Sequence, residues 1–264
     1  MKIKIDIIDA FTDTRFSGNS AAVVITDTWL ADDLMQSIAT ENNLSETAFL
    51  VKRDEQYHIR WFSPLTEIDF CGHATLAASY VIFSRFPEQT SIVLYAQAVG
   101  TMVIEKSFDG RINMDFPNRM PQEIETAPEQ LFLGLSIKPA KVLKNKQAYF
   151  AIYDNEQDVL AVTQDKEQLM QLGPLDVVVS ALSNGEYEFV SRYFWPANGG
   201  DEDPVTGSIH TGLAPYWAQK LGKTNLVAYQ ASKRGGVVFC EIKNDRVVIS
   251  GHAVRYLNGT IDIH

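Results

Sequence analysis

The chain has 264 residues, 45% of them hydrophobic and 21% charged, which is the composition of a folded globular protein and excludes a disordered chain. At this length a single hydrophobic core stops growing, so we expect two domains. The 23 basic and 33 acidic residues give a net charge of −10, which argues against a nucleic-acid-binding surface.

The first half of the chain is predicted to consist mainly of strands. Lys2–Ala10 alternates apolar and polar residues, Phe16–Asn19 has the composition of a turn, and Ala21–Ile25 is a short apolar strand. Asp32–Asn42 has apolar residues at helical spacing. Further strands are expected at Thr47–Lys52, Tyr57–Phe62, Ser91–Tyr95, Gly100–Lys106 and Arg111–Phe116.

A proline-rich stretch, Pro117–Pro128, is typical of a linker and places the domain boundary. We therefore expect a first domain over residues 1–118, with the tail 253–264 as a candidate addition to it, and a second domain over residues 119–252. In the second domain, helices are predicted at Glu129–Leu135, Asp154–Leu172 and Ile209–Leu221, and strands at Val177–Ser180, Tyr187–Phe194, Gly236–Ile242 and Arg246–Ile249.

The two halves share a pattern that favours an internal duplication over chance. The segment Arg60–Pro64, RWFSP, recurs 132 residues later as RYFWP at Arg192–Pro196. A glycine turn that opens an apolar helix follows each segment, at Gly72 and at Gly207. Because a helix that is apolar on nearly every side must be enclosed, the sequence predicts an α+β fold of two similar domains. Each would be a mostly antiparallel, curled sheet, or incomplete barrel, around a central apolar helix.

The two helix starts are candidate sites for a carboxylate, since the first N–H groups of a helix are unpaired and carry partial positive charge. Either start alone is better explained as an ordinary capped helix, whereas the pair favours a small-molecule site in a cleft between the domains. The candidate substrate-binding residues at these starts are Gly72, Ala74, Thr75, Thr206, Gly207 and Ser208.

Glu46 stands at the beginning of an apolar strand, in the segment NLSETAFL. Apolar neighbours disfavour a charged carboxylate, which can bring its pKa into the range where it takes and returns a proton near neutrality. Glu46 is therefore a candidate acid/base. The alternative is an exposed glutamate at a strand end, which is the more common situation.

The glycine-rich loop before the second helix carries three carboxylates, Asp201, Glu202 and Asp203. They fit a divalent-cation site, an acid/base pair, or acidic residues at the positive end of a helix. The last interpretation suits Asp201 and Glu202. Asp203 lies five residues before Ser208, so it could orient polar groups of a substrate.

His73 lies in the first helical turn, where the positive end of the helix dipole favours a neutral ring; a solvated histidine fits equally well. Cys71 precedes the same helix start, where a thiol pKa is lowered, so it is a second candidate acid/base. The repeat-related position is Thr206, however, and not a second cysteine. The other histidines, His264 included, lack ligand spacing, so we predict no zinc or other metal site.

The motifs together resemble the phenazine biosynthesis-like, or PhzF-like, family within the diaminopimelate epimerase-like superfamily. The matching segments keep the family's order over nearly the whole chain, with Ser20 where the family usually has proline. They are DAFT at Asp9–Thr12, FSGNSAAVV at Phe16–Val24, NLSETAF at Asn43–Phe49, FCGHAT at Phe70–Thr75, DPVTGS at Asp203–Ser208 and QASKRGG at Gln230–Gly236.

The resemblance implies an isomerase that shifts a proton without a metal or organic cofactor, commonly as a homodimer. It implies Glu46 as the acid/base and His73, Asp203 and Ser208 as groups that bind and orient the substrate, and Asn19 completes the predicted substrate-binding set. The superfamily's epimerases use two cysteines, of which only Cys71 has a counterpart here.

We therefore expect a proton shift on a small carboxylate-containing substrate. The alternatives are an amino-acid epimerase or racemase, and a relative that binds small molecules without catalysis. The sequence has no apolar segment of membrane-spanning length and no signal-peptide pattern, so we expect a cytoplasmic protein without membrane or nucleic-acid partners.

Overall fold

The computed structural model describes residues 1–263, and the chain forms two compact units. Unit 1 comprises Met1–Asp115 together with the segment that starts at Ser250, and unit 2 comprises Phe116–Ile249. His264, the last residue of the predicted tail 253–264, lies outside the described residues. Within residues 1–263, no helix combines the length and apolar composition needed to cross a membrane.

Unit 1 is built on one run of paired strands, in the order β18, β1, β2, β3, β4, β6, β7, β8. The pairs β2/β3 and β4/β6 are parallel and the others are antiparallel, while the short β5 adds to β4. The strands are β1 (Lys2–Ala10), β2 (Asn19–Thr26), β3 (Glu46–Arg53), β4 (Gln56–Phe62), β5 (Glu67–Ile68), β6 (Ser91–Ala96), β7 (Gly100–Lys106), β8 (Ile112–Pro117) and β18 (Ala253–Asp262).

Two helices pack on this sheet. Helix α2 (Gly72–Arg85) packs against β1, β2 and β3, and eleven of its fourteen residues are buried, as its uniformly apolar sequence requires. Helix α1 (Asp32–Asn42) is amphipathic and buries Met35 and Ile38 in a separate cluster with Phe49. The site described below lies where β2, β3 and α2 begin.

Unit 2 pairs its strands in the order β9, β10, β11, β12, β13, β15, β16, with β11/β12 and β13/β15 parallel. Helix α6 (His210–Leu221) packs on β15 and β16. The other elements are β9 (Gln122–Glu123), α3 (Glu129–Leu133), β10 (Lys141–Lys144), β11 (Ala148–Ile152), α4 (Glu156–Ala161), α5 (Lys166–Met170), β12 (Asp176–Leu182), β13 (Phe189–Phe194), β14 (Glu202–Asp203), β15 (Asn225–Gln230), β16 (Gly236–Lys243) and β17 (Arg246–Gly251).

The two units have the same connectivity. The segments β1 to β7 in unit 1 and β10 to β16 in unit 2 alternate antiparallel and parallel pairings in the same order. In each unit the buried helix follows a two-residue strand, β5 before α2 and β14 before α6. The repeated arginines also have the same partner: Arg60 forms a two-point ion pair with Glu67 on β5, and Arg192 forms one with Glu202 on β14. This correspondence supports the duplication inferred from the sequence.

The chain is a strand-rich α+β protein, as predicted, but one helix prediction is wrong. The segment Asp154–Leu172 forms two short helices, α4 and α5, because Val162 is extended and Asp165 starts a new helix. The Asp165 side chain accepts hydrogen bonds from two backbone N–H groups of α5. These bonds cap the start of α5 and replace the backbone hydrogen bonds that a continuous helix would make there.

Candidate active site

Four predicted or candidate residues of unit 1 meet at the starts of three elements. Asn19 begins β2, Glu46 begins β3, and Cys71 is the last residue before α2, with His73 in the first turn of that helix. Because β2 and β3 are parallel and Glu46 pairs with Ala21, both strands begin at the same edge of the sheet. This local arrangement places side chains from distant parts of the sequence side by side.

His73 is the centre of the cluster. Its Nε2 lies 2.9 Å from Glu46 Oε2, and its Nδ1 lies 3.1 Å from Asn19 Nδ2 and 3.4 Å from Cys71 Sγ. Ser45 Oγ donates a hydrogen bond of 3.2 Å to Asn19 Oδ1. Asn19 is fully buried, and His73, Cys71 and Glu46 are 5%, 7% and 9% exposed. The cluster is therefore shielded, with Glu46 as its most accessible member.

One oxygen of Glu46, Oε2, is buried beside the His73 ring. Oε2 is within ion-pair distance of His73 Nε2, but among residues 1–263 no donor hydrogen is aligned on it. A buried carboxylate oxygen without an aligned donor costs free energy, so such atoms in folded proteins call for an explanation. A proton or a ligand group bound at Oε2 would explain why no donor in the described structure is aligned on this atom.

The charge state of His73 differs from the neutral ring predicted from the helix dipole. Burial by itself lowers the pKa of His73, but the neighbouring Cys71 and Glu46 raise it more, so that the pKa is well above its usual value. The Glu46 carboxylate, 2.9 Å from Nε2, still raises the pKa of His73 when the Cys71 thiol is protonated and uncharged. An imidazolium beside the Glu46 carboxylate is the resulting state near neutral pH.

The expected lowering of the Cys71 pKa is also wrong. Burial, followed by the negative charge of Glu46, raises the pKa of the Cys71 thiol to about 11, although His73 and the backbone N–H of Ala74 act in the opposite direction. The thiol is therefore protonated near neutral pH. Of the two acid/base candidates, Glu46 is the group that is available as a base.

The start of α2 offers some of the predicted donors. Thr75 uses both its backbone N–H and its hydroxyl on the carbonyl oxygen of Cys71, at 3.0 and 2.6 Å. Neither group is thus available to a ligand, and substrate binding by Thr75 stays a prediction. The N–H groups of Gly72 and His73 precede the first intrahelical hydrogen bond and remain the candidates for holding a carboxylate. The N–H of Ala74 acts on the Cys71 thiol, so carboxylate binding by Ala74 stays a prediction.

In unit 2 the structure brings Asp203 and Thr206 together. The hydroxyl of Thr206 donates to Asp203 Oδ2, and its backbone N–H donates to Gln230 Oε1 at 2.9 Å. Gln230 Nε2 in turn donates to the carbonyl of Asp203 at 2.8 Å. The other two carboxylates of this loop serve structural ion pairs, Asp201 with Lys166 and Glu202 with Arg192.

Ser208 belongs to a second hydrogen-bonded group that the sequence did not reveal. Gln147 Nε2 donates to Ser208 Oγ at 2.9 Å and is 3.3 Å from the hydroxyl of Tyr193, which donates to Asp176 Oδ2 at 2.6 Å. Within the described part of the chain, Gln147 Oε1 is buried without a hydrogen-bond partner.

Asp176 is the counterpart of Glu46 in the duplicated topology. It begins β12 and pairs with Ala148, as Glu46 begins β3 and pairs with Ala21. Burial raises the pKa of Asp176, while hydrogen bonds from Tyr193 and Asn198 partly offset the rise. The signal that could have found it is the one used for Glu46, a carboxylate in front of an apolar run.

The second glycine turn differs from the prediction in one respect. Helix α6 begins at His210, so Gly207 and Ser208 lie in the turn before it, whereas Gly72 is the first residue of α2. Short hydrogen-bonded turns, such as His210 N–H to Gly207 O at 3.2 Å, precede the regular helix. Gly207 and Ser208 thus lie in a tight turn, and their substrate-binding role stays a prediction.

Comparison with known proteins agrees with the motifs. The sequence profile of the family described as phenazine biosynthesis-like protein matches residues 8–259. A Pseudomonas aeruginosa protein named uncharacterized isomerase is 44% identical over the full length of both chains. The crystal structure of a PhzF-family phenazine biosynthesis protein from Enterococcus faecalis is similar over 100% of both chains, with a TM-score of 0.94 and 38% identity.

The fold extends to more distant proteins. A hydroxyproline epimerase from Agrobacterium vitis is similar over 98% of this chain and 91% of its own, with a TM-score of 0.58 but 9% identity, so it shares the fold alone. The predicted α+β fold with an unclosed sheet is confirmed by these structures. The names of the curated relatives confirm the predicted enzyme class, isomerase.

Proposed function

The chain belongs to the phenazine biosynthesis-like protein family, and on that premise we propose that it shifts a proton on a small carboxylate-containing substrate, with Glu46 as the acid/base. The observation that carries the proposal is the buried contact between Glu46 and His73, in which Glu46 Oε2 has no aligned donor. A general base needs a fixed position and a lone pair that can take a proton, and the contact with His73 fixes the position of this carboxylate.

The proposed step moves a proton between two carbons of one substrate molecule, and the proton held by Glu46 exchanges with solvent in a fraction of turnovers. Glu46 accepts a proton from a carbon next to an unsaturated or carboxylated centre, and the same carboxyl group returns it to another carbon. His73 is the positioning residue for Glu46, and its positive charge stabilises the carboxylate that begins and ends the cycle. Asn19 Nδ2 lies 3.1 Å from Nδ1 and packs against the ring, and Ser45 Oγ donates a hydrogen bond to Asn19 Oδ1.

The substrate's carboxylate is proposed to bind at the start of α2, on backbone N–H groups of Gly72 and Ala74. With a net charge of −10, the protein repels anions at long range, so local donors of this kind must supply the attraction. Asp203, Thr206, Gly207 and Ser208 are proposed as substrate-orienting residues of unit 2. The hydrogen bonds that fix Asp203 and Thr206 support a preorganised role for that pair.

An amino-acid epimerase or racemase is the second candidate, favoured by the thiol of Cys71 beside the His73 ring. In that mechanism Cys71 would exchange the α-proton as a thiolate. A pKa of about 11 for Cys71 and the absence of a thiol at the repeat-related position, Thr206, both favour Glu46 instead. A cytoplasmic location and a homodimer remain part of the proposal and are open to fractionation and light scattering.

The test is solvent-deuterium incorporation by a panel of small cyclic and acyclic carboxylates, followed by mass spectrometry. Glu46→Gln is expected to abolish incorporation while it retains ligand binding, because the amide keeps the shape but cannot take a proton. Glu41→Gln, on the exposed face of α1, is the matched control and keeps full exchange.

Three outcomes would contradict the proposal. Full exchange by Glu46→Gln would remove the glutamate from the mechanism, and loss of exchange in Cys71→Ser, with Glu46→Gln still active, would support the epimerase. Thermal stabilisation by a ligand without exchange for any compound would favour a binding protein.

A further inference from the structure

We propose that Glu46, Cys71 and His73 form a binding site for a soft divalent cation, with Zn²⁺ as the best match. One ligand atom from each residue lies within 4.8 Å of the other two. A thiolate, an imidazole and a carboxylate are all zinc ligands, and three protein ligands with one open position is the arrangement of an accessible zinc site.

The distances between the ligand atoms are close to those of a tetrahedral site. His73 Nε2 is 2.9 Å from Glu46 Oε2 and 3.9 Å from Cys71 Sγ. Zinc bonds of about 2.0–2.3 Å at tetrahedral angles place such atoms roughly 3.3–3.7 Å apart. The third separation, between Cys71 Sγ and a Glu46 carboxylate oxygen, is within 4.8 Å. Side-chain rotations that move the ligand atoms by up to about 1 Å would therefore enclose an ion.

Two further observations point to a ligand at this cluster. Glu46, nine-tenths buried, holds Oε2 beside His73 without an aligned hydrogen among the residues that the structure describes. On the far side of the ring, the Asn19 amide contacts Nδ1. With Nε2 on a metal, Nδ1 carries the hydrogen, and a reversed Asn19 amide would accept it as an outer-shell partner that fixes the ring.

Sequence spacing predicted no zinc site, because spacing rules find ligands on one helix or one loop. Here the ligands come from the start of β3 and the start of α2, which only the tertiary structure brings together. Binding replaces the S–H bond of Cys71 and the Nε2–H bond of the His73 imidazolium with bonds to the metal, and it releases both protons to solvent. A cation bound here would occupy Glu46 and so prevent the proton shift. This effect on turnover rests on the proposed function.

The test measures binding without turnover, so that its failure is distinct from failure of the isomerase proposal. Metal-free protein is titrated with zinc chloride by calorimetry, and one ion per chain is expected. Cys71→Ser and Glu46→Gln should each weaken binding by roughly tenfold or more, since each loses a ligand that contacts the ion. Cys240→Ser is the matched control, because Cys240 is also a buried free thiol but lies in β16 of unit 2.

Cobalt chloride provides a readout specific to the thiol. The wild type and Cys240→Ser should show the near-ultraviolet charge-transfer absorption of a cobalt–thiolate bond, and Cys71→Ser should lack it. Circular dichroism of each variant verifies that it is folded. The proposal is overturned if the wild type binds no stoichiometric zinc, or if Cys71→Ser binds zinc and cobalt as the wild type does.

Discussion

The histidine that begins helix α6 is expected to make the protein less stable in mild acid. His210 is fully buried, and burial lowers its pKa from 6.5 to about 4, although its Nδ1–H donates to the Thr206 carbonyl at 2.9 Å. Because the folded pKa lies below the unfolded value, the unfolded chain takes up the proton first as the pH falls. The stability is therefore fully present above pH 6.5 and is lost between pH 6.5 and about 4.

The magnitude follows from the size of the pKa difference. The lowering to about 4 corresponds to a total of about 3 kcal/mol, of which about 2 kcal/mol should be lost on going from pH 7.5 to pH 5. The assay is urea unfolding of the wild type and of His210→Gln at both pH values, followed by fluorescence. The variant lacks the titrating group, so the change in its free energy of unfolding between the two pH values should be smaller by about 2 kcal/mol.

Packing has to be separated from titration in this experiment. Phe189, whose ring centre is 5.9 Å from that of His210, offers the control, since Phe189→Leu should destabilise the protein by similar amounts at both pH values. Equal pH dependence in the wild type and His210→Gln would refute the reasoning, because it would show that the buried ring does not resist protonation.

Three further outcomes are expected. Asn19→Ala should slow deuterium exchange roughly tenfold in mass-spectrometric assays, since it removes the buried amide that contacts His73 Nδ1, and unchanged exchange would exclude the positioning role. Arg192→Ala should lower the free energy of unfolding by about 3 kcal/mol and Arg60→Ala by about 1 kcal/mol, because the Arg192 ion pair is the more buried of the two; equal losses in urea titrations would contradict this ranking. Gly18→Ala should cost about 1–3 kcal/mol by the same titration, because Gly18 has a φ of +66° and a new Cβ would lie 2.2 Å from the Ala10 carbonyl; unchanged stability would show that the turn can adapt.

Local patterns were sufficient for the elements whose residues alternate or repeat at one period. The predicted strand Lys2–Ala10 and helix Asp32–Asn42 match β1 and α1 residue for residue. The strand at Ala148–Ile152 was missed, since all its residues are buried and the sequence shows no alternation. The strand at Asn225–Gln230 was also missed, although its burial does alternate.

The candidate site was predictable in its members and not in its chemistry. Glu46 and His73 were identified from the motifs around them. Gln147 and Asp176 lie outside those motifs and are recognised only by their hydrogen bonds in unit 2. The expected charge states of His73 and Cys71 were both wrong. The helix dipole is a local effect: the charge of Glu46 opposes it at His73, and burial together with that charge outweighs it at Cys71.

The sequence by itself determined the α+β class, the apolar helices and which side chains carry reactive groups, because these depend on residues within a few positions of one another. The duplicated arrangement was indicated by the segment that recurs 132 residues later. Only the tertiary structure decided that residues 19, 46, 71 and 73 are neighbours, and which of their groups holds a proton. The physical reason is that strand pairing joins distant segments. Burial and charge at a group sum over all of its neighbours in space, whatever their order along the chain.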